Sequence, residues 1–401
     1  MQRGTGLKKN EIIKINGTDY TAMTVRLLKA AGLADHIRQK AGPEKDPLIG
    51  IKPNLVSPVP AMYGATTHPE IVEGIILYLK ENGYQKIMIC EGSWVGDKTE
   101  DAFEYCGFCS LADRYGITLL DTQKDSSISV NGGNLSLKIC SCVRQIDFLI
   151  NVPVLKGHCQ THVTCALKNM KGLIPNAEKR RFHALGLHDP IAALNSCIHQ
   201  DFIVVDNICG DPDFEDGGNP LVQNNILAAL DPVLTDAYAC RVLDRPQEKV
   251  RYIGLSEAFG IGSADLTKLV LTSLDPSGSP SRFEAAFPSP AADSCAFLTH
   301  KAMELNYATE EIQSCSACYS ALTDALNRLD QEGLLKILTE RLHVRFCIGQ
   351  GYKGLSSPEL SLLSPEDLPV GIGNCTCAFK KNIPGCPPSG DAIYEYLKAL
   401  I

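Results

Sequence analysis

Short apolar runs that alternate with segments of helical periodicity constrain the first two-thirds of the chain more than any other feature. Residues 48–55 (LIGIKPNL) are apolar over the length of a strand and run into a Pro/Gly loop. Residues 68–83 (HPEIVEGIILYLKENG) follow with apolar positions at helical spacing and stop at Gly83. KIMIC (86–90) is the next strand and residues 97–115 the next helix. ITLLD, DFLINV, FIVVD and LVLTSL are further runs of strand type, and helices are expected over 161–171, 188–199, 233–243 and 247–259. Strands separated by helices cannot close hairpins, so their crossovers lay them parallel. The pattern predicts an α/β fold, a mostly parallel sheet with helices on both faces. One exception is ISVNGGNLSLKI (128–139), where Gly132-Gly133 between two alternating runs predicts a hairpin.

Residues 275–293 (DPSGSPSRFEAAFPSPAAD) are rich in Ser and Pro and read as a linker. Beyond it a smaller α/β unit is expected: a helix around 317–340, strands HVRFC (343–347) and DLPVGI (367–372), and a closing helix over about 390–400. FCIGQG (346–351) and VGIGNC (370–375) look alike, each a strand running straight into a glycine turn. The expected organisation is an α/β substrate-binding domain over 1–275, a linker and connecting helix over 276–312, and a C-terminal domain over 313–401. A chain of 401 residues has room for two or three domains. Its net charge of −8 argues against general nucleic-acid affinity. No apolar stretch approaches the roughly 20 residues of a membrane span, and MQRGTGLKKNEII has no apolar core of a secretory signal. A cytoplasmic protein that engages neither membrane nor nucleic acid is the expectation.

Seventeen cysteines is an odd number spread over a large chain, which does not suit a disulfide scaffold. Cys90, Cys165 and Cys240 lie inside apolar runs and read as small buried hydrophobes. The C-terminal ones cluster. CSAC holds Cys315 and Cys318, and GNCTCAFKKNIPGCPPSG (373–390) holds Cys375, Cys377 and Cys386. A Cys-x-x-Cys followed by distant cysteines, the last backed by proline, is a recurrent way of holding an iron–sulfur cube. Cys315, Cys318, Cys375 and Cys386 are the expected ligands of a [4Fe–4S] cluster, with Cys377 and Cys347 as substitutes. Four thiolates around a cluster make a buried anion, and Gly371, Gly373 and Gly385 let backbone N–H groups approach it. A structural zinc would use the same four residues.

Residues 153–183 (PVLKGHCQTHVTCALKNMKGLIPNAEKRRFH) carry six Lys or Arg and three His against a single Glu. In an acidic chain such an excess points to an anionic ligand, and the segment begins at a strand's carboxyl end, where α/β sheets place their ligands. Lys156, Lys168, Asn169 and Lys171 are candidate contacts, with His158 and Lys168 as candidate catalytic groups. Thr67 and His68, at a strand-to-helix junction, offer a cap or an anion site. Asp206, at the end of FIVVD, offers a strand-end carboxylate beside the acidic-glycine loop GDPDFEDGGNP. Asp231 and Asp236 read as carboxylates near a helix N-terminus. Neither GxGxxG nor GxxxxGK[ST] is present, which disfavours the common nucleotide folds.

IKPNLV, GATTHPEIVEGIILYLKENG, LKGH…THVTCALKNMKGLIP, VVDNICG with its GGNP loop, and LDPVLTDAYA occur in that order. Together they resemble the family known as domain of unknown function 362, whose members are often described as iron–sulfur proteins. The resemblance covers roughly residues 45–260, and the Lys-Asn-x-x-Gly block is its most specific part. The tail with CSAC, GNC and PGCPP is similar to a cysteine-bearing extension that some members carry in place of a ferredoxin module. The CxxCxxCxxxCP run of a bacterial ferredoxin is not here. The resemblance implies an α/β fold and one cluster, and it leaves the reaction open. The reading is an iron–sulfur oxidoreductase acting on a small anionic substrate, served by a ferredoxin- or flavodoxin-type electron donor. Its alternatives are an isomerase, racemase or lyase whose cluster is structural or a Lewis acid, and an electron carrier or maturation partner without substrate.

Overall fold

In the computed structural model, residues 6–42, 46–285, 305–312, 314–355, 364 and 366–401 are described. The chain divides into one unit of Met1–Gly157 with Thr161–Phe297 and another of His158–Gln160 with Leu298–Ile401. The strands up to residue 285 are β1 (Glu11–Asn16), β2 (Ile49–Pro53), β3 (Ile87–Glu91), β4 (Thr118–Asp121), β5 (Ser127–Gly132), β6 (Leu135–Cys140), β7 (Phe148–Val152), β8 (Lys156–His158), β9 (His162–Thr164), β10 (Phe202–Gly210), β11 (Leu221–Ala229), β12 (Val270–Leu274) and β13 (Pro280–Ala285). Nine of them form one sheet in the order β13-β12-β1-β11-β10-β7-β2-β3-β4. Only β11 and β13 run against the others. β5 and β6 form the expected hairpin, and β8 and β9 a short ribbon.

Helices cover both faces, as the unbroken burial along the central strands requires. On β10, Phe202 and Val204 join one apolar core while Ile203 and Val205 join the other. Cys90, Cys165 and Cys240 are buried in the second of these cores, and burial pushes the Cys90 and Cys240 thiols up to about 12. Their packing role stands. Among the described residues no helix is long and apolar enough to cross a membrane.

Several boundaries differ from the sequence reading. Residues 97–115 form two helices, Thr99–Tyr105 and Phe108–Tyr115, because Gly107 between them sits at φ 81°. The expected helix over 161–171 is β9, then Ala166–Asn169, then a 3-10 turn over Met170–Leu173. His162 at φ 64° keeps its start out of helix, and the buried Asp236 carboxylate accepts the Ala166 and Leu167 N–H groups and starts the helix there. Asp236 therefore caps a neighbouring element, while Asp231 caps its own helix through the Val233 and Leu234 N–H groups. FIVVD continues as strand through Gly210, so Asp206 lies inside β10 rather than at its end. The first part of the expected linker pairs with β12 as strand β13, and residues 286–304 lie outside the described ones.

The second unit has four parallel strands, β14 (Thr309–Glu311), β15 (Val344–Ile348), β16 (Leu368–Ile372) and β17 (Asn382–Ile383), in that order. Helices Ser316–Gln331 and Gly390–Lys398 pack together, with Arg328 bonded to Asp391 at 2.6 Å and stacked 3.9 Å over the Tyr394 ring. The helix expected over 317–340 ends at Gln331, because Gly333 turns the chain at φ 72°. Cys347 pairs with Gly371 across β15 and β16. The two similar loops after these strands therefore leave the sheet side by side.

Candidate functional site

Each unit carries a candidate site among its described residues. In the first, the parallel strands β2 and β3 end beside each other with Ile51 opposite Ile89. That register sets Lys52 and Glu91 into a buried ion pair at 2.7 Å, with both side chains at most 3% exposed. Lys52 Nζ also donates to Pro53 O at 2.7 Å. The carboxylate is fully engaged: its Oε2 accepts Leu55 N–H at 2.9 Å and its Oε1 accepts Gly92 N–H at 2.6 Å. Asn169 ties this pair to the next strand. Its amide donates to Asn151 Oδ1 at 2.7 Å and to Lys52 O at 3.2 Å, and its carbonyl accepts from Asn54 at 3.1 Å. Residue 172 passes directly over the ion pair. A Cβ there would stand 2.0 Å from Glu91 Oε1 and 2.5 Å from Lys52 Nζ, so only glycine fits.

Above this floor lies a pocket with about 560 Å³ of atom-free space, part of it open to solvent. Lys52, Lys168, Lys171, Lys179 and His183 line it together with Val56, Trp94 and Val95. Lys171 Nζ is 3.4 Å from His183 Nε2. Lys179 is almost wholly buried and donates to Gly92 O at 2.9 Å and Ser93 O at 2.7 Å. Burial, with Lys52 nearby, pulls its ammonium down to about 8 against the pull of Glu91. Glu91 is the carboxylate among the lining residues. The arrangement suits a small anion at the carboxyl ends of parallel strands.

Of the residues read from sequence, this pocket gathers Lys168, Asn169 and Lys171. Lys156 is fully buried elsewhere, and its ammonium donates to Ala65 O, to Glu215 O at 2.6 Å and to Asn54 Oδ1 at 3.3 Å. Thr67 donates to Val152 O at 2.9 Å and accepts Asn54 N–H at 2.8 Å, which joins two strand ends. His68 is the residue before helix Pro69–Glu81, and both its N–H and Nδ1 meet Asp206 Oδ2, at 2.8 and 2.9 Å. Burial disfavours charge on that ring, but the Asp206 carboxylate outweighs it and raises its affinity for the proton. His158 is buried on β8, with Nδ1 accepting the Gln160 N–H at 3.0 Å. In the loop GDPDFEDGGNP, Asp211 is the organiser, accepting N–H groups from Asp213, Phe214 and Asn219.

Lys52, Glu91, Asn54, Trp94 and Gln123 went unread in the sequence. The signal was a lysine in a strand that is otherwise apolar, IGIKP, and a glutamate closing another, IMICE.

In the second unit, Cys315 directly precedes helix Ser316–Gln331 and Cys318 lies in its first turn. Cys375 sits in the turn Asn374–Thr376 after β16, and Cys386 precedes a cis proline, Pro387. Asn374 stitches the two loops together. Its N–H donates to Gly385 O and its Oδ1 accepts Gly385 N–H, both at 2.8 Å. Burial first, then the mutual charge of Cys315, Cys386 and Cys375, pushes the Cys318 thiol up to about 12. Cys315 is raised by burial and by Cys375 and Cys386. Gly373, at φ 88°, brings its backbone close, and a Cβ there would lie 3.4 Å from Cys318 Sγ. Gln350 Nε2 donates to Cys315 Sγ at 3.3 Å. Cys347 is buried apart, against Tyr352 and Phe379, and Cys377 is exposed. Cys315 and Cys318, raised by burial and by the neighbouring Cys375 and Cys386, with glycine backbone and an amide donor beside them, suit a multiply charged metal group.

The fold and the pocket define an α/β protein with lysines lining a pocket at the ends of its parallel strands. Residues 49–241 match the family described as "Domain of unknown function (DUF362)". Every pocket-lining residue falls inside the matched segment, and the four clustered thiols fall outside it. No curated protein matches the chain.

Proposed function

We propose that this is a cytoplasmic iron–sulfur oxidoreductase: the lysine pocket holds a small anionic substrate, and Cys315, Cys318, Cys375 and Cys386 hold a [4Fe–4S] cluster. The observation that carries the cluster is the gathering of four thiols from two segments some sixty residues apart, for which apolar packing supplies no reason. When bound, such a cluster supplies one-electron transfer. The chain's part is to bind and orient: Lys168, Lys171 and Lys179 attract the anion, and the Lys52–Glu91–Asn169 network fixes the pocket floor.

The exposure of Cys386 favours electron exchange with a ferredoxin- or flavodoxin-type donor. A pure carrier has no use for a pocket at Lys168, which favours the enzyme reading. Anaerobic purification with metal and sulfide analysis and EPR tests the proposal. About four iron and four sulfide per chain are expected. One zinc per chain, or iron retained after all four cysteines become serine, would overturn it.

A further inference from the structure

The pocket is lined by Trp94 as well as by lysines, and Trp94 is fixed by contacts that leave little freedom. Its N–H donates to Val56 O at 3.0 Å and its indole Nε1–H to Asp97 Oδ2 at 2.5 Å. Gln123 Nε2 binds the carbonyls of Ser93, Trp94 and Asp97 at 3.0–3.2 Å and so pins the loop that carries it. The Gly96 backbone backs the ring, since a Cβ there would lie 1.9 Å from Cζ2. With its N–H already used, the indole offers a ligand only flat apolar surface, which Val56 and Val95 extend. A second feature marks the same cavity. Thr164 Oγ1 lines it, buried and without a hydrogen-bond partner, and buried hydroxyls are rarely left so.

We infer that the ligand is a small aromatic or conjugated acid, its anionic group among Lys168, Lys171 and Lys179 and its planar body against Trp94. The inference rests on the proposed anion pocket and adds the chemical class. A bare inorganic anion leaves Trp94 uncovered, and a neutral aromatic makes no use of the excess positive charge among the lining residues.

Trp94 is the single tryptophan of the chain, so intrinsic fluorescence reports on the pocket wall directly. The anaerobically purified full chain is titrated with phenylacetate, acetate, inorganic phosphate and 2-phenylethanol. Phenylacetate is expected to change the fluorescence saturably and to bind roughly tenfold or more tighter than the other three. By calorimetry, Trp94→Ala and Trp94→Leu should bring phenylacetate down to the level of acetate and leave acetate unchanged. Acetate or phosphate binding as tightly as phenylacetate would overturn the aromatic class and leave the anion pocket standing. If no anion binds at all, both fall.

Discussion

The pocket and the cysteine loops both concentrate like groups, but they neutralise them differently. Around the pocket the fold supplies oxygen partners: Lys52 meets Glu91, and Lys179 meets two backbone carbonyls. In the cysteine loops burial comes first and the neighbouring Cys315, Cys386 and Cys375 second, and together they push the Cys318 thiol up to about 12. A bound cation would bring the opposite charge that lets that thiol ionise. Under the proposed function the first site is complete as folded, whereas the second would be completed only by its metal. Breaking each site should therefore have different consequences.

The largest effect is expected in the second unit. Cys318→Ser should abolish iron and sulfide incorporation on anaerobic reconstitution, with anion binding in the pocket unchanged by calorimetry. Cys347→Ser should retain the iron, because that thiol lies apart against Tyr352 and Phe379. Full iron content in Cys318→Ser would break the assignment.

Next comes the pocket floor. Lys52→Met leaves Glu91 buried without its cation, and removing one partner of a buried pair costs about 3–5 kcal/mol. The double variant Lys52→Met/Glu91→Gln should recover much of that in urea unfolding. Equal losses in the single and double variants would mean that the pair is not the source.

How much of this was legible in the sequence differs by element and by site. Strand β2, helix Pro69–Glu81 and strand β3 were readable because each is a run of one periodicity closed by Gly or Pro. Strand β11 was not, because LVQNNILAA carries three polar residues in its middle. Its Asn225 is matched by Asn207 on β10 at 2.8 Å, a partner that only the register supplies. The same holds for the site. Lys168, Asn169 and Lys171 belong to one basic stretch and could be read together. Lys52 and Glu91, 39 residues apart, become a pair only when β2 and β3 align. Lys156 shows the converse, since a basic residue in a promising segment spends its charge on carbonyls inside the fold.

That reassignment of Lys156 is itself testable. Lys156→Met leaves the Ala65 and Glu215 carbonyls without their donor, which should cost about 1–3 kcal/mol. Phenylacetate or acetate affinity of the folded variant should stay the same. A fall of about tenfold or more in affinity would return Lys156 to the ligand.

The smallest expected effect is a pH dependence at Lys179. Burial brings its folded value to about 8, below the roughly 10.4 of a free lysine. Between those values the unfolded chain binds more protons than the folded one, so the stability of the ligand-free protein should rise with pH over that window. Glu91 and Asp121 oppose the shift and Lys52 reinforces it, while Cys140, pushed up to about 12, stays protonated there. A bound anion favours the ammonium and so must recapture the proton. Its affinity should be flat below about pH 8 and fall by up to about tenfold per unit above it. Burial lowers Lys156 as well, so the comparison with Lys179→Met isolates the residue. That variant should bind anions more weakly at neutral pH and lose the slope above pH 8, and a slope that persists would place the titrating group elsewhere.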